Sequence, residues 1–302
     1  MSRPEVIFDR VSYWYDASTS IAKLALDGID LTIDEGGFIA LCGKTGSGKS
    51  TLAQHMDALL LPSIGRITYP GGQVFEAAPR YDRKGNIKAP KKRKLKGWKE
   101  LRKGVGIVFQ FPEDQIFKRT VLEDVMVGPI NFGADEKEAR EAAIEALNLV
   151  GLDESFYQRS PFELSGGEKR RVALAGVFAF SPRILILDEP TVGLDPIGAS
   201  RIVEILKAQV DRGATVILIT HDMDLAYSLA RRLIVMEDGK IALDEAPYEA
   251  FQNGDAIHRA GLLPPKAFVY TQYLRGQGMD IDPEKARDSR GLAEEIARCL
   301  NG

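Results

Sequence analysis

A glycine-rich segment constrains the fold of this chain more than any other feature of its sequence. Residues 43–51 read GKTGSGKST and fit the pattern GxxxxGK[ST], between the apolar run 38–42 and a stretch with helical periodicity. Glycines let the backbone point several N–H groups inward at a helix N-terminus, whose dipole favours anions. We therefore predict a phosphate-binding loop, in which Lys49 bridges the β- and γ-phosphates of a nucleotide and Ser50 holds Mg²⁺. The predicted nucleotide contacts are Gly43, Lys44, Thr45, Gly46, Ser47, Gly48, Lys49, Ser50 and Thr51.

A second constraint is an apolar run that ends in two carboxylates. Residues 184–187 predict a buried strand, and Asp188 and Glu189 follow at its carboxyl end, the edge at which open α/β sheets bind ligands. Asp188 suits a direct or second-sphere contact to Mg²⁺, and Glu189 suits a base that polarises an attacking water. Taken alone, the pair would more often be a solvated turn. Its position downstream of a phosphate loop makes catalysis the favoured interpretation.

Composition excludes several classes of protein. The 302 residues are 44% hydrophobic and 27% charged, which is ordinary for a globular chain and excludes disordered and fibrous structure. The net charge of -3 gives no general attraction to nucleic acid or to an anionic membrane. We expect no membrane span, because the apolar runs are far shorter than the roughly 20 residues needed, and no secretory signal. Cys42 and Cys299 predict neither a disulfide framework nor a thiolate metal site, and they fit a reducing cytosol.

The order of the predicted elements indicates an α/β fold. Short β-rich segments open the chain, a helix is predicted from the glycine loop to Leu61, and Asp135 with Glu138 forms a capping box before a helix in the middle of the chain. Later, apolar strands alternate with helices that begin at Pro196 and Asp222, which predicts a parallel sheet covered on both faces. The predicted strands are at residues 6–8, 11–15, 29–33, 38–42, 64–69, 105–109, 184–187 and 215–220.

Two regions depart from this alternation. Residues 79–103 carry twelve Lys or Arg against two acids and predict a solvated surface hairpin or loop. Contact with phospholipid is the less favoured alternative, because charge runs are usually just solvated. Beyond Pro247, short helices interrupted by Gly261 lead to an amphipathic helix at residues 291–300, which predicts a helical appendage.

The segment before the carboxylate pair carries a family resemblance. Residues 164–171, LSGGEKRR, resemble the signature motif of ATP-binding-cassette (ABC) proteins and precede Asp188 as they do in that family. Ser165, Gly166 and Gly167 at a helix start would form a second anion site of exposed N–H groups. In ABC proteins that site completes the nucleotide pocket of the opposite subunit, so the resemblance implies a head-to-tail dimer with two ATP molecules at its interface. The chain departs from the family at Glu168, where Gln is usual.

Four further residues match functional positions of ABC proteins. The resemblance assigns Tyr15 to stacking on adenine, Gln110 to sensing Mg²⁺, Asp195 to the dimer interface and His221 to the γ-phosphate. From the residues alone, Tyr15 could be an ordinary strand aromatic, Asp195 a helix cap, and His221 a packed histidine, although the order of the motifs favours a functional His221. The predicted catalytic residues are Lys49, Glu189 and His221, and the predicted Mg²⁺ contacts are Ser50, Gln110 and Asp188.

Longer matches narrow the resemblance to energy-coupling-factor (ECF) ATPases. Residues 108–117 (VFQFPEDQIF), 160–163 (SPFE) and 189–196 (EPTVGLDP) are similar to segments of these modular importers of vitamins and transition metals. The similarity extends over residues 6–269. It implies the P-loop NTPase fold of ABC ATPases, with a RecA-like parallel-sheet core, an antiparallel β subdomain, a helical signature subdomain and a small α-helical C-terminal extension.

The resemblance also implies a division of the chain and a set of partners. Residues 1–245 would form the cassette, with the helical subdomain at about 111–180, and residues 246–302 the extension, which resembles dimerising helices of the family. The implied partners are a second ABC ATPase, identical or not, a transmembrane transducer and a substrate-binding membrane subunit, with no nucleic acid. The implied location is the cytoplasmic face of the cell membrane.

Three rival interpretations are weighed against this one. A non-transport ABC switch on nucleic acid or the ribosome is disfavoured, because the chain has one cassette and no sustained heptads. A second rival is the ATPase of an ordinary binding-protein-dependent importer. Only residues 111–117 and the tail favour an ECF ATPase over it. A catalytically silent cassette is disfavoured, because Lys49, Asp188, Glu189 and His221 are all present.

Overall fold

The computed structural model describes residues 4–17, 19–83, 85 and 97–301. Its strands and its helices are each numbered in the order in which they occur along the chain. The strands are β1 (Pro4–Tyr15), β2 (Lys23–Asp34), β3 (Gly37–Cys42), β4 (Ile64–Thr68), β5 (Val74–Ala77), β6 (Val105–Val108), β7 (Ile184–Asp188), β8 (Thr215–Ile219), β9 (Arg232–Glu237) and β10 (Lys240–Glu245). The helices are α1 (Lys49–Met56), α2 (Trp98–Gly104), α3 (Val121–Asn131), α4 (Glu136–Leu149), α5 (Glu154–Tyr157), α6 (Gly166–Phe178), α7 (Pro196–Asp211), α8 (Met223–Leu229), α9 (Pro247–Gln252), α10 (Asp255–Arg259), α11 (Lys266–Gly276) and α12 (Ser289–Asn301).

The predicted parallel sheet is present and forms the centre of the molecule. Its six strands lie in the order β10-β9-β3-β8-β7-β6, and every neighbouring pair is parallel except β10 with β9. That last pair is a hairpin turned by Asp238 and Gly239, which both have a positive φ. The order of the strands confirms the α/β class predicted from the alternation of strands and helices.

Side chains from the parallel strands enter two separate cores. Ile184 and Ile186 of β7 pack on one face with α1 and the antiparallel sheet, while Leu185 and Leu187 pack on the other with most of the helices. Successive residues of a strand point to opposite faces, so a continuous apolar run is the pattern expected of a strand buried on both sides. Because each strand is buried on both sides, its position is fixed, and so is the position of the residues that follow its carboxyl end.

A second sheet of four antiparallel strands, β2-β1-β4-β5, covers one face of the parallel sheet. The prediction of two short N-terminal strands, at residues 6–8 and 11–15, is wrong, since β1 is one strand of 12 residues. Arg10 has φ 47°, and the pairing with β2 shifts between Phe8 and Val11. The break in alternation that suggested a turn is therefore an irregularity within one strand.

The helix predicted to continue to Leu61 ends at Met56 instead. Ala58 takes a left-handed conformation with φ 55°, which an α-helix cannot accommodate. Apolar periodicity continues past this point in the sequence because Leu60 and Leu61 still contribute partly buried side chains.

The end of the basic segment is also not the solvated loop that was predicted. Residues 84 and 86–96 lie outside the described residues, but residues 98–104 form α2, in which Leu101 is 1% exposed. Arg102 donates to the Ala58 carbonyl at 3.1 Å and lies 3.6 Å from Asp57. Burial raises the pKa of Asp57 to about 7, against the opposing effect of Arg102. The segment is thereby anchored to the end of the helix that follows the glycine loop.

The remaining helices form two groups. Helices α3 to α6 lie between β6 and β7 along the chain and pack on one another, and the predicted capping box of Asp135 and Glu138 begins α4. Helices α9 to α12 follow the last strand. Among the described residues, every helix is too short or too polar to serve as a transmembrane span.

An aromatic cluster joins the last helices to the rest of the fold. Tyr227 of α8 meets Phe251 of α9 and Phe268 of α11, with ring centroids 5.9 and 6.2 Å apart, and Tyr248 adds a fourth ring. Phe251 and Phe268 belong to the same buried core as the central strands. The first part of the C-terminal region is thus packed into the main core, whereas Ile281, Ala286 and Leu292 form a small core of their own.

Candidate nucleotide site

The carboxyl ends of four neighbouring strands bring most of the predicted site residues to one edge of the sheet. The strands β3, β8, β7 and β6 are adjacent and parallel, so the segments that follow them emerge side by side. The residues at these ends are Gly43 after β3, Thr220 and His221 after β8, Asp188 and Glu189 at the end of β7, and Gln110 after β6. This is the edge at which open α/β sheets bind ligands.

The glycine loop is too tightly packed for side chains at two of its positions. At Gly43, with φ 140°, an added Cβ would lie 2.3 Å from the Met236 carbonyl oxygen. At Gly48, with φ 107°, it would lie 2.7 Å from the Ala25 carbonyl oxygen. These glycines let the backbone wind closely before α1, at a helix start that favours an anion.

Lys49 places a positive charge over this loop. Its Nζ donates to the carbonyl oxygens of Gly43 and Lys44 at 2.7 and 2.9 Å. Burial lowers the pKa of Lys49, although Asp188 nearby acts in the opposite direction. A partly buried ammonium group gains when a phosphate becomes its partner, because the phosphate carries the opposite charge.

The residues that could hold Mg²⁺ are in contact with each other. Ser50 Oγ donates to Asp188 Oδ2 at 3.1 Å, across the gap between α1 and β7. Burial raises the pKa of Asp188, and the hydrogen bond from Ser50 opposes this. A hydroxyl and one carboxylate fit Mg²⁺, which takes few protein oxygens when a nucleotide supplies phosphates. Gln110 is exposed, and among the described residues it makes no hydrogen bond to this pair.

Glu189 is held at the sheet edge by the residues that follow β8. Its Oε1 accepts from the His221 backbone N–H at 3.0 Å and from His221 Nδ1 at 2.6 Å, and its Oε2 accepts from Thr220 Oγ1 at 3.2 Å. Glu189 also has φ 51°, a strained conformation typical of functional sites. Thr220 was not identified from the sequence, although a hydroxyl residue just before the histidine at a strand end was a usable signal.

The position of His221 excludes one of the alternatives left open by the sequence. Its side chain is 73% exposed, while that of Glu189 is 13% exposed, so the histidine is not packed in the core. Nδ1 donates to the carboxylate, and no hydrogen bond within the described ranges involves the other ring nitrogen, Nε2, which suits it to a ligand.

Tyr15 lies beside the helix of the glycine loop. Its hydroxyl is 3.1 Å from Thr51 Oγ1, and its ring stacks edge-on against Tyr13 with centroids 5.0 Å apart. Tyr13 in turn contacts His55 of α1. The partly exposed ring is thus fixed next to the loop, which agrees with a role in adenine binding.

A pair of variants tests this role of Tyr15. Tyr15→Ala is expected to weaken ATP binding about 5- to 150-fold, because stacking of a base on an aromatic ring contributes about 1–3 kcal/mol. Tyr15→Phe keeps the ring and loses only the bond to Thr51, so its dissociation constant should stay near that of the parent. Equilibrium binding of a fluorescent ATP analogue measures both. Equal affinity for all three proteins would leave Tyr15 as an ordinary strand aromatic.

The signature residues stand apart from the loop. Ser165 caps α6, and together with Gly167 and Asp195 it lines a cleft of about 400 Å³. None of the hydrogen bonds among the described residues joins Ser165, Gly166 or Gly167 to residues 43–51. Asp195 Oδ1 accepts from Gly198 N at 2.6 Å, so its predicted role as a helix cap is confirmed, and its role at a dimer interface stays a prediction. The capping box between Ser165 and Glu168 was missed, although the S-x-x-E pattern was readable.

Comparisons with known proteins agree on one family. The family model described as ABC transporter matches residues 26–192. The chain is 42% identical to energy-coupling factor transporter ATP-binding protein EcfA2 of Mycoplasmopsis synoviae over 276 residues, which are 90% of this chain and 89% of that protein. It is 41% identical to EcfA2 of Lactobacillus delbrueckii subsp. bulgaricus, over 98% of this chain and 97% of that protein.

Solved structures give the same fold. CbiO1 of Clostridium perfringens, described as part of the ABC transporter complex CbiONQ, matches with a TM-score of 0.65 and 34% identity, covering 89% of this chain and 99% of that one. The ATP-binding cassette MJ0796, in a dimeric post-hydrolysis state bound to ADP and Pi, matches with a TM-score of 0.65 and 29% identity, covering 80% and 98%. The predicted fold class is confirmed by these neighbours.

Proposed function

The chain belongs to the ABC transporter family, and from this we propose that it is the ATP-hydrolysing subunit of an ECF-type importer, which powers uptake of a vitamin or a transition-metal ion. The observation that carries the proposal is the meeting of the glycine loop, the Asp188-Glu189 pair and His221 on adjacent strand ends. The relatives named as ECF ATP-binding proteins over nearly the full chain support the transporter type.

The proposed reaction is hydrolysis of ATP to ADP and phosphate. Glu189 accepts a proton from water as the water oxygen bonds to the γ-phosphorus and the bond to the β-γ bridging oxygen breaks. Lys49 offsets the charge on the β- and γ-phosphates, and His221 faces the γ-phosphate through Nε2. Mg²⁺, held by Ser50 and Asp188 with Gln110 as a further contact, would neutralise charge on the phosphate oxygens.

The site is proposed to be completed by a second ATPase subunit, identical or different. Among the described residues, no hydrogen bond joins the signature residues Ser165, Gly166 and Gly167 to the phosphate loop of the same chain. This suits a role towards the nucleotide of the opposite subunit. Asp195 lines the same cleft. With the γ-phosphate between Lys49 of one subunit and Ser165 of the other, charge is stabilised only in the closed dimer. ATP then closes the pair and hydrolysis opens it.

The movement is proposed to reach the membrane through the region after Gln110. Phe111 has φ 56° and is 52% exposed, and a groove of about 630 Å³ between Phe117 and α3 is lined by Met126 and Ile130. A groove that combines such apolar residues with charged ones at Lys118 and Glu123 suits an amphipathic helix of a transducer. The proposed location is the cytoplasmic face of the cell membrane, with a separate membrane subunit that selects the substrate.

The proposed division of the chain follows the same assignment. Residues 1–245 act as the cassette, with the helical subdomain at about 111–180 between the sheet and the transducer. Residues 246–302 act in pairing of the ATPase subunits.

Co-purification tests the assembly. The tagged full chain is isolated from detergent-solubilised membranes of its own cells, and all associated proteins are identified by mass spectrometry. We expect a membrane transducer, a second membrane protein and an ABC ATPase subunit, which is either a second copy or a sister chain. Recovery of ribosomes or DNA ends in place of membrane proteins would contradict the proposal, and recovery of a periplasmic-type binding protein would favour an ordinary importer.

A further inference from the structure

The signature serine is engaged by an acid of its own helix. Ser165 Oγ donates to Glu168 Oε2 at 2.7 Å, and the Ser165 backbone N–H donates to the same oxygen at 2.8 Å. In return, the Glu168 backbone N–H donates to Ser165 Oγ at 3.4 Å. The hydroxyl proton that the proposed function would offer to a γ-phosphate is therefore committed to a carboxylate.

The carboxylate of Glu168 keeps its charge in this position. Hydrogen bonds from the side chain and backbone of Ser165 lower the pKa of Glu168, with smaller effects of Arg171 and Arg159 in the same direction. Arg171 donates to two carbonyls at the end of α4, and Arg159 donates to a carbonyl of α5. Within the part of the chain that the structure describes, neither arginine forms an ion pair with Glu168. Its negative charge is thus only partly offset.

This charge acts on the ligand that the helix start attracts. The N–H groups of Gly166 and Gly167 belong to the first turn of α6, where they have no intrahelical partner, and such a helix end favours an anion. The Glu168 carboxylate already benefits from the helix dipole there. A triphosphate brought to the same end meets a like charge. Two anions thus compete for one helix start.

We propose that Glu168 is a positioning residue whose negative charge weakens this signature site, because the charge strengthens the self-cap of Ser165 and repels the nucleotide that the opposite subunit brings. Closure then requires Ser165 to turn its O–H from the carboxylate to the γ-phosphate, one charge-assisted bond replacing another. The charge of Glu168 remains beside the nucleotide after this exchange and favours reopening. The inference rests on the proposed function, because only a dimer brings the opposite nucleotide to Ser165.

Glu168→Gln is the matched variant for this role. The glutamine amide oxygen accepts the same two hydrogen bonds from Ser165, so the cap of α6 is kept while the charge is lost. In both proteins, Glu189→Gln is also present to block hydrolysis. Each full chain is studied together with the ATPase subunit with which it co-purifies, which is a second copy or a sister chain. Sedimentation velocity gives the Mg-ATP concentration for half-maximal pairing. We expect Glu168→Gln to lower that concentration about three- to tenfold, because a like charge is removed from the site.

Salt dependence separates an electrostatic role from a structural one. The advantage of Glu168→Gln should shrink as salt is raised from about 50 to about 500 mM, because salt screens charges near a surface. Glu168→Ala removes the side-chain half of the capping box together with the charge, and we expect it to lower the melting temperature, which Glu168→Gln should not change. These two measurements identify any change that comes only from the stability of α6.

The possible results have distinct meanings. Equal half-maximal concentrations for Glu168→Gln and its parent, or an advantage that is unchanged at high salt, would overturn the role of Glu168. If the parent with Glu189→Gln fails to pair at any ATP concentration, the proposed dimer itself is wrong.

Discussion

Replacement of Glu189 by Gln is expected to lower steady-state ATP hydrolysis by about 10²- to 10⁴-fold while ATP binding is retained. Glutamine has nearly the same shape, and its amide oxygen can still accept the two hydrogen bonds from His221, while its NH2 group can donate to Thr220 Oγ1. It cannot take a proton from the attacking water. Phosphate release measures turnover, and equilibrium titration with a fluorescent ATP analogue measures binding.

A matched acid-to-amide change controls for the loss of charge alone. Glu204 is exposed on α7, away from the strand ends that carry the site, so Glu204→Gln should hydrolyse ATP at the parent rate. Normal turnover by Glu189→Gln would remove Glu189 from the catalytic role. Loss of binding in that variant would show that the residue supports the pocket rather than the chemistry.

Replacement of Lys49 by Met should have a different effect from that of Glu189→Gln. ATP binding should be lost, and hydrolysis should be lost because ATP no longer binds. Lys49 Nζ is held over the glycine loop by two carbonyls, and partial burial lowers its pKa. Removal of one partner of a buried charge pair costs about 2–5 kcal/mol, which corresponds to roughly 30-fold weaker binding or more. Methionine preserves much of the length and the apolar part of the side chain, so the loop should keep its fold.

Lys137→Met provides the control for this experiment. Lys137 is exposed on α4 and forms an ion pair with Glu141 one turn later, so its variant should bind ATP as the parent does. The circular dichroism spectrum and the melting temperature of Lys49→Met should match those of the parent, which would attribute the loss to the missing ammonium group. Binding of ATP by Lys49→Met at parental affinity would contradict the role proposed for Lys49.

The parts of the site that could be predicted from the sequence are those that local patterns determine. The glycine loop, the apolar strand before Asp188 and the cap at Asp195 each depend on residues within a few positions of one another. The parallel sheet then brings these segments to one edge, because parallel strands that follow helices all end on the same side. Resemblance to ABC proteins added the signature motif, whose proposed function in another subunit no local pattern reveals.

The parts that could not be predicted depend on contacts between distant residues. Helix α2 occurs in a segment whose charge indicated a solvated loop, and it is held by the burial of Leu101 and the contacts of Arg102 with Asp57 and Ala58. The place of Thr220 just before His221 was a usable signal, but its contact with Glu189, 31 residues away, depends on the pairing of β7 with β8. Tertiary packing decided these contacts.

The four aromatic rings that join α8, α9 and α11 bear on how such a chain can change over time. Tyr227 follows His221 by six residues, while Tyr248, Phe251 and Phe268 come from the C-terminal region. Loss of the C-terminal region from the gene would expose Tyr227 and its neighbours to water. Gain of that region would require apolar side chains to be present on α8 beforehand. We therefore expect the tail and the helix after His221 to be inherited together, and recombination between relatives should succeed only when both are exchanged.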